Sequence, residues 1–270
     1  MIRSPLRYPG GKSRAVKFLN QFLPEFEEFR EPFFGGGSFM FATMQQFPAA
    51  KYWANDLNFD VFCFWNALKT DCAALVESIA NIKKNRHNGR ELFFELLEKR
   101  KGEMSDFERA VDFFVLNRIT FSGVVDSGGY SEQAFQSRFT DSSIERLKKI
   151  APLAERIHFT HGDYLDLLES PGENVFIFLD PPYFSATQSK LYGKRGTLHQ
   201  HFDHERFAKA MRDCPHNWLI TYDNSPFICD LFSDFHQLKW ELQYGMNNYK
   251  QNGAAMGKEL LISNVALRLK

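Results

Sequence analysis

Short apolar runs bounded by turn residues alternate with segments whose apolar side chains recur every three or four positions, which is the pattern of an α/β protein. After Ser13, the residues Val16, Leu19, Phe22 and Leu23 share one helical face, and Pro24 closes that helix. Extended chain then ends at Glu31-Pro32-Phe33-Phe34, gives way to Gly35-Gly36-Gly37-Ser38 and leads into a helix from Phe39 to Phe47. A second strand, Lys51 to Ala54, ends on Asn55-Asp56-Leu57-Asn58. Next, from about Val61 to about Ile150, come helices with polar joints, two of them opened by the capping boxes Ser105/Glu108 and Ser142/Glu145. Strands resume at Ile157 to Thr160 and at Val175 to Leu179, an unbroken apolar run that predicts burial on both faces. Trp218 to Tyr222 is another buried strand, Pro226 starts a helix, and strands near Leu238 to Tyr244 and Glu259 to Leu267 close the chain. This organisation predicts one α/β unit, 1–60 with 151–270, interrupted by a mainly helical insert, 61–150.

With 270 residues and 44% hydrophobic content, such a unit can bury a full core without staples. No apolar stretch approaches the roughly 20 residues of a membrane helix, and the start from Met1 to Lys12 lacks the apolar centre of a signal peptide, so a cytoplasmic protein is expected. Cys63, Cys72, Cys214 and Cys229 show no paired spacing and are read as reduced and structural. Lys plus Arg and Asp plus Glu both total 33, so any affinity for a polyanion must be local. One stretch qualifies: Phe184 to His201 carries Lys190, Lys194, Arg195, His199 and His201 and no acid. The 29 phenylalanines fall mostly at helical or strand spacing and read as core.

In an open α/β sheet, ligands bind outside the carboxyl ends of the strands, where glycines admit close backbone approach. Gly35, Gly36 and Gly37 occupy such a place, although turns alone also call for glycine. Asp56 follows about 20 residues later, suited either to a helix N-cap or to the ribose hydroxyls of an adenosine cofactor. Loop and acid together do not choose between a nicotinamide dinucleotide and S-adenosylmethionine. Asp180-Pro181-Pro182-Tyr183 does. Its prolines hold the Asp180 carboxylate and the Pro181 carbonyl in one orientation at the end of a buried strand. Two acceptors gripping both hydrogens of an adenine amine would favour the pyramidal nitrogen that can attack a methyl donor. Tyr183 could stack on the base, which must leave the duplex to arrive there.

In order along the chain, Arg7-Tyr8-Pro9-Gly10-Gly11-Lys12, Glu31-Pro32-Phe33-Phe34-Gly35-Gly36-Gly37-Ser38-Phe39, Asn55-Asp56, Leu116-Asn117-Arg118, Asp180-Pro181-Pro182-Tyr183 and Lys258-Glu259-Leu260-Leu261 resemble the Dam-type (alpha-class) DNA adenine-N6 methyltransferases. The resemblance spans almost the whole chain. It implies a Rossmann-like S-adenosylmethionine-dependent methyltransferase fold whose insert is a target-recognition domain. It further implies methyl transfer to N6 of a flipped-out adenine in double-stranded DNA, releasing S-adenosylhomocysteine, by a prokaryotic or phage-encoded enzyme. By this resemblance Tyr8 and Lys12 contact the cofactor, Gly35 to Gly37 line it, Asp56 holds its ribose, and Asp180 and Pro181 face the target amine beside Tyr183. Asn117, Arg118 and the stretch from Thr120 to Arg138, with a hairpin turn at Gly128-Gly129, would meet DNA.

The chain departs from GATC-specific members at Val124-Val125-Asp126-Ser127-Gly128-Gly129-Tyr130, where an acid replaces a basic, aromatic-rich hairpin. Gln136 and Arg138 are the candidates for base reading, since their side chains suit adenine and guanine edges. Lys190, Lys194 and Arg195 are expected at the DNA backbone. His199, His201 and His204 with Asp203 fit no tetrahedral metal site, so no metal is expected and phosphate contact is the reading preferred for them. His158 and His161 read as structural. RNA adenine, cytosine N4 or protein glutamine are competing acceptors, and Asp180 and the placement of the insert argue against them. A silent DNA-binding regulator of the same fold is opposed by the intact Lys12, glycine loop, Asp180 and Tyr183. The recognised DNA word and a cognate restriction endonuclease are not legible in the sequence.

Overall fold

The computed structural model describes residues 4–8, 10–125, 128–187, 202–243 and 256–268. Among these, seven strands form one sheet in the order β3-β2-β1-β4-β5-β7-β6. The strands are β1 (Glu28–Glu31), β2 (Lys51–Asp56), β3 (Ile157–His161), β4 (Val175–Leu179), β5 (Asn217–Asp223), β6 (His236–Gln243) and β7 (Met256–Ser263). β1 to β5 pair in parallel, while β7 runs antiparallel to both β5 and β6. The expected Rossmann-like α/β fold is therefore present. Every residue of β4 is buried, as the unbroken apolar run predicts.

Strand order reverses between β1 and β4, and at such a switch point the chains leaving the two strands diverge and open a crevice. The glycine loop follows β1 and Asp180 follows β4, so the two strongest motifs flank that crevice.

Helices α1 (Val16–Leu19) and α2 (Ser38–Gln46) precede β2. The expected continuous helix after Ser13 is instead broken into a 3-10 turn at Lys12–Arg14, α1 and a second 3-10 turn at Asn20–Phe22, and no side chain caps it. Between β2 and β3 lie α3 (Phe59–Thr70), α4 (Cys72–Asn85), α5 (Gly89–Lys99), α6 (Asp106–Ile119), α7 (Glu132–Arg138) and α8 (Asp141–Ala154). This insert is thus an enlarged crossover between two parallel strands. Its expected start at residue 61 falls inside α3, which belongs to the sheet's own layer: Trp65 stacks on Phe159 of β3 with ring centres 6.1 Å apart. The same helix packs on α6 through Phe64, Phe113 and Phe114, so sheet and insert share one core.

Ser105 and Glu108 form the predicted capping box of α6. The box predicted at Ser142 and Glu145 is displaced. Thr140 caps α8 reciprocally with Ser143, and Glu145 pairs with Lys148 at 2.7 Å. Downstream are α9 (Leu165–Glu169), α10 (Phe184–Thr187), α11 (His204–Asp213) and α12 (Pro226–Leu231), the last with Pro226 in its first turn as expected. The four cysteines are free. Among the described residues no helix is long and apolar enough to cross a membrane.

A fully buried arginine ties the sheet to its loops. Arg30 on β1 donates to Glu28 Oε1 (2.5 Å) and to the carbonyls of Leu167 (2.7 Å), Ser170 (2.6 Å) and Pro171 (2.9 Å), fixing the segment that feeds β4. Removing the guanidinium leaves the buried Leu167 carbonyl without its donor and frees the loop that Ser170 and Pro171 belong to. Arg30→Met is expected to cost about 3 kcal/mol, read as a lower midpoint in urea unfolding.

Candidate functional site

The glycine loop is bent by its own backbone. Gly35 and Gly37 have φ of +47° and +62°, a region other residues enter only at a cost, and a Cβ on Gly37 would lie 2.3 Å from Phe34 Cζ. Tyr8 packs against the loop so closely that a Cβ on Gly35 would lie 2.6 Å from its ring. The loop is also held by bonds: Gly35 N–H donates to Asp56 Oδ2 (2.7 Å), and Trp65 Nε1 donates to the Gly35 carbonyl (2.9 Å). The Gly35 amide, expected to face a ligand, is thus spent on Asp56. The other Asp56 oxygen accepts the Asn58 N–H (2.8 Å), which leaves each oxygen one lone pair for an incoming hydroxyl. Burial pushes the Asp56 carboxyl up to about 6, against the pull of the two N–H donors.

Across the crevice Asp180 receives two fixed donors. Lys12 Nζ lies 2.7 Å from its carboxylate and also donates to the Gly10 carbonyl at 3.1 Å, while Thr221 Oγ1 donates to Asp180 Oδ1 at 2.8 Å. Lys12, expected at the cofactor, is 4% exposed and reaches the Asp180 carboxylate, whose side chain remains 20% exposed. Its ammonium also stands 5.0 Å over the Tyr183 ring. The expected quartet of Tyr8, Lys12, Asp180 and Tyr183 is therefore brought together with the glycine loop and Asp56.

Two carboxyls that the motifs contain, but to which the sequence reading gave no role, complete the site. Glu31, at the end of β1, is buried, and its Oε2 has no hydrogen-bond partner. Burial and then the Asp180 charge hold it well above the ordinary carboxyl range, against the Met40 N–H and Lys12. Glu259 on β7 is buried as well and accepts a hydrogen bond from the Tyr183 phenol. Burial pushes Glu259 up to about 7, opposed by Lys12 and the Tyr183 bond. Glu259 was legible as an acid beside the apolar run Leu260-Leu261-Ile262, and Thr221 as a small polar residue within Trp218-Leu219-Ile220-Thr221-Tyr222, whereas Glu31 shares β1 with Glu28 and Arg30 and has no such signal. Asp163, just past β3, was also passed over. It accepts the Leu165 N–H at 3.0 Å and pairs with Arg206 at 3.0 Å.

The expected DNA-facing residues fare differently. Asn117 and Arg118 are 1% and 3% exposed, so neither presents a side chain to a duplex in this structure. The Asn117 amide is consumed by backbone, accepting from Arg7 N–H (2.9 Å) and donating to the carbonyls of Arg7 and Gly123 (2.8 Å each). It clamps the N-terminal loop to the insert. Arg118 lies over Phe114 with Nε and Nη2 unpartnered, and burial together with the charges of Arg146, Arg7 and Arg138 pushes it down to about 9. Gln136 and Arg138 are exposed on α7, where Gln136 donates to Glu132 at 3.0 Å. Thr120 bridges Tyr130 and Phe121 N–H donates to the Gly129 carbonyl (2.9 Å), so Gly129 stands at the base of the connection between them and not at the hairpin turn expected for Gly128-Gly129. Phe121 itself, unremarked in the sequence, is 71% exposed beside Ser122, whose φ is +57°.

Lys190, Lys194, Arg195, His199 and His201 lie outside the described residues. His204 is buried with Nδ1 2.7 Å from the Tyr222 hydroxyl, which corrects its expected phosphate contact. His158 packs on Trp53, and His161 reaches the Leu57 carbonyl at 3.1 Å. Among the described residues no cluster could hold a metal ion.

A carboxyl raised by folding stabilises the protein fully below its ordinary value and loses that contribution as pH rises through its folded value. For Asp56 and Glu259 the loss falls around 6 and 7. Glu259→Gln cannot ionise, so its melting temperature relative to the parent should rise between about pH 5 and 8; a constant difference contradicts this assignment.

Residues 8–246 match the family described as D12 class N6 adenine-specific DNA methyltransferase. The type II methyltransferase M1.LlaDCHI of Lactococcus lactis subsp. cremoris is 24% identical, the alignment covering 97% of this chain and 95% of that one. The DNA N-6-adenine-methyltransferase of Escherichia phage P1 is 25% identical over 86% of this chain and 31% of its own length. A DNA adenine methylase of Vibrio cholerae is 26% identical over 67% of this chain and 65% of that protein. With a match across most of its length and an acidic, rigidly held strand end where the chemistry of an amine acceptor requires one, the chain belongs to the D12 class of N6 adenine-specific DNA methyltransferases.

Proposed function

We propose that this DNA adenine methyltransferase takes its methyl group from S-adenosylmethionine and acts on an adenine rotated out of double-stranded DNA, with Asp180 as the group that grips the amine. The observation that carries this reading is the Asp180 carboxylate, pinned by Lys12 and Thr221 at the β1/β4 switch point yet still open to the crevice.

The residues fit that cofactor. Gly35 to Gly37 form a tight loop packed on Tyr8 and Phe34, Asp56 can accept ribose hydroxyls, and the orphaned Glu31 Oε2 is a buried acceptor suited to a cationic or N–H donor. When bound, S-adenosylmethionine supplies an electrophilic methyl on a sulfonium. Asp180 and the Pro181 carbonyl accept the two amine hydrogens, drawing the nitrogen lone pair out of conjugation with the ring, and Asp180 takes up the proton the amine loses. Lys12 orients Asp180, and Tyr183 offers the base an aromatic surface.

For the insert, Phe121 is the reading's best candidate for a group that fills the stack an extruded base vacates, because a large exposed ring on a left-handed turn is otherwise unfavourable. Arg7, Arg138 and Arg146 around the buried Arg118 supply positive field for phosphates, with Gln136 and Arg138 at hand for bases. The type II name of the Lactococcus relative supports a role beside a restriction endonuclease.

Asp180→Ala should lower single-turnover methylation of duplex DNA by at least about 10³-fold while calorimetry still registers S-adenosylmethionine binding. Unchanged turnover contradicts the mechanism. Phe121→Ala should reduce the fluorescence gain of 2-aminopurine placed at the target position about tenfold or more; a full gain removes Phe121 from base extrusion.

A further inference from the structure

The loop that bears Tyr183 is held from behind by two acids on neighbouring strands. β5 and β7 run antiparallel with Asp223 directly opposite Glu259. Asp223 accepts the Phe184 N–H (2.8 Å) and the Ser185 N–H (3.2 Å), fixing the backbone just beyond the motif. Glu259, 1% exposed, accepts the phenolic hydrogen of Tyr183 itself. A buried carboxyl needs partners to offset its lost hydration, and this phenol is one of them. Burial and the neighbouring acid charges keep the Tyr183 phenol well above its ordinary value, so it remains a donor. The ring has the Lys12 ammonium 5.0 Å from its centre and the Tyr222 ring centre 6.0 Å away at 39°. Contacts of this kind limit the ring's position but not its tilt, because aromatic packing tolerates a broad range of angles. A directional hydrogen bond at the far end of the ring removes that freedom.

We infer that Glu259 is a positioning residue for adenine methylation: through the Tyr183 hydroxyl it sets the plane of the ring on which the target base stacks. The inference rests on the role proposed above for Tyr183. Glu259 touches neither reacting atom, so its loss should lower the rate of methyl transfer and spare cofactor affinity.

A double-mutant cycle on the full-length protein, read by single-turnover rate at saturating duplex DNA and S-adenosylmethionine, tests it. Glu259→Leu and Tyr183→Phe should each slow transfer about 10- to 100-fold, with cofactor affinity by calorimetry within about threefold, and the double variant should be no slower than either. Glu259→Gln, whose side-chain oxygen can still accept the phenol, should recover to within about threefold of the parent. Additive losses, or Tyr183→Phe at the parent rate, overturn the inference. Should Glu259→Leu fail to fold, the Tyr183→Phe and Glu259→Gln rates still decide. Tyr183→Ala separates the two layers: if it is impaired while Tyr183→Phe is not, only the anchor falls, and if it keeps the parent rate, the stacking role falls with it.

Discussion

One buried cation organises this enzyme. Lys12 has carboxyls from three strands around it, Glu31 at the end of β1, Asp180 just after β4 and Glu259 within β7, and it bonds one of them directly. Taking an ammonium out of water is costly, and the cost is offset only where geometry and partners are both fixed. The surrounding structure supplies both. A short 3-10 turn at Lys12–Arg14 aims the side chain inward, the Gly10 carbonyl accepts one of its hydrogens, and Thr221 holds Asp180 from the opposite side. Burial first, and the neighbouring Asp180 charge after it, drive Glu31 and Glu259 toward their protonated forms. Asp180, doubly held, is the member of the group whose side chain stays partly open.

That arrangement explains why the N-terminal loop matters to chemistry performed after β4. Tyr8 supports the glycine loop, Lys12 fixes Asp180, and Asn117 bolts the intervening Arg7 to the insert through both its N–H and its carbonyl. Gly123 allows this close approach, since a Cβ there would lie 2.3 Å from the Arg7 carbonyl oxygen. Sheet and insert meet at this seam and share a core through α3, so the insert is built into the catalytic unit.

The strands and the glycine loop were legible because their signals are local: apolar runs of strand length, glycines at positive φ, prolines after an acid. Long-range partners were not. That Lys12 reaches Asp180, 168 residues away, follows from strand order, which no window of sequence contains. Asn117 and Arg118 read as DNA contacts because the family resemblance assigns the insert to target recognition, whereas here the face that carries them turns into the seam. Thr221 and Glu259 were detectable as polar residues in largely apolar strands, but only pairing across the sheet shows what they hold, and Glu31, in the charged strand Glu28–Glu31, carried no such signal. The first helix broke and the second capping box shifted for a simpler reason. Cap geometry competes among near-equivalent serines and threonines, and packing decides between them.

The most direct measurement is to produce the protein in cells that lack adenine methylation and map modified bases across the genome by single-molecule sequencing, beside a culture carrying Asp180→Ala. The account predicts N6-methyladenine at one recurring short word with the parent protein and none with the variant. A folded parent protein that leaves the genome unmodified, or a variant that modifies it equally, would contradict the account.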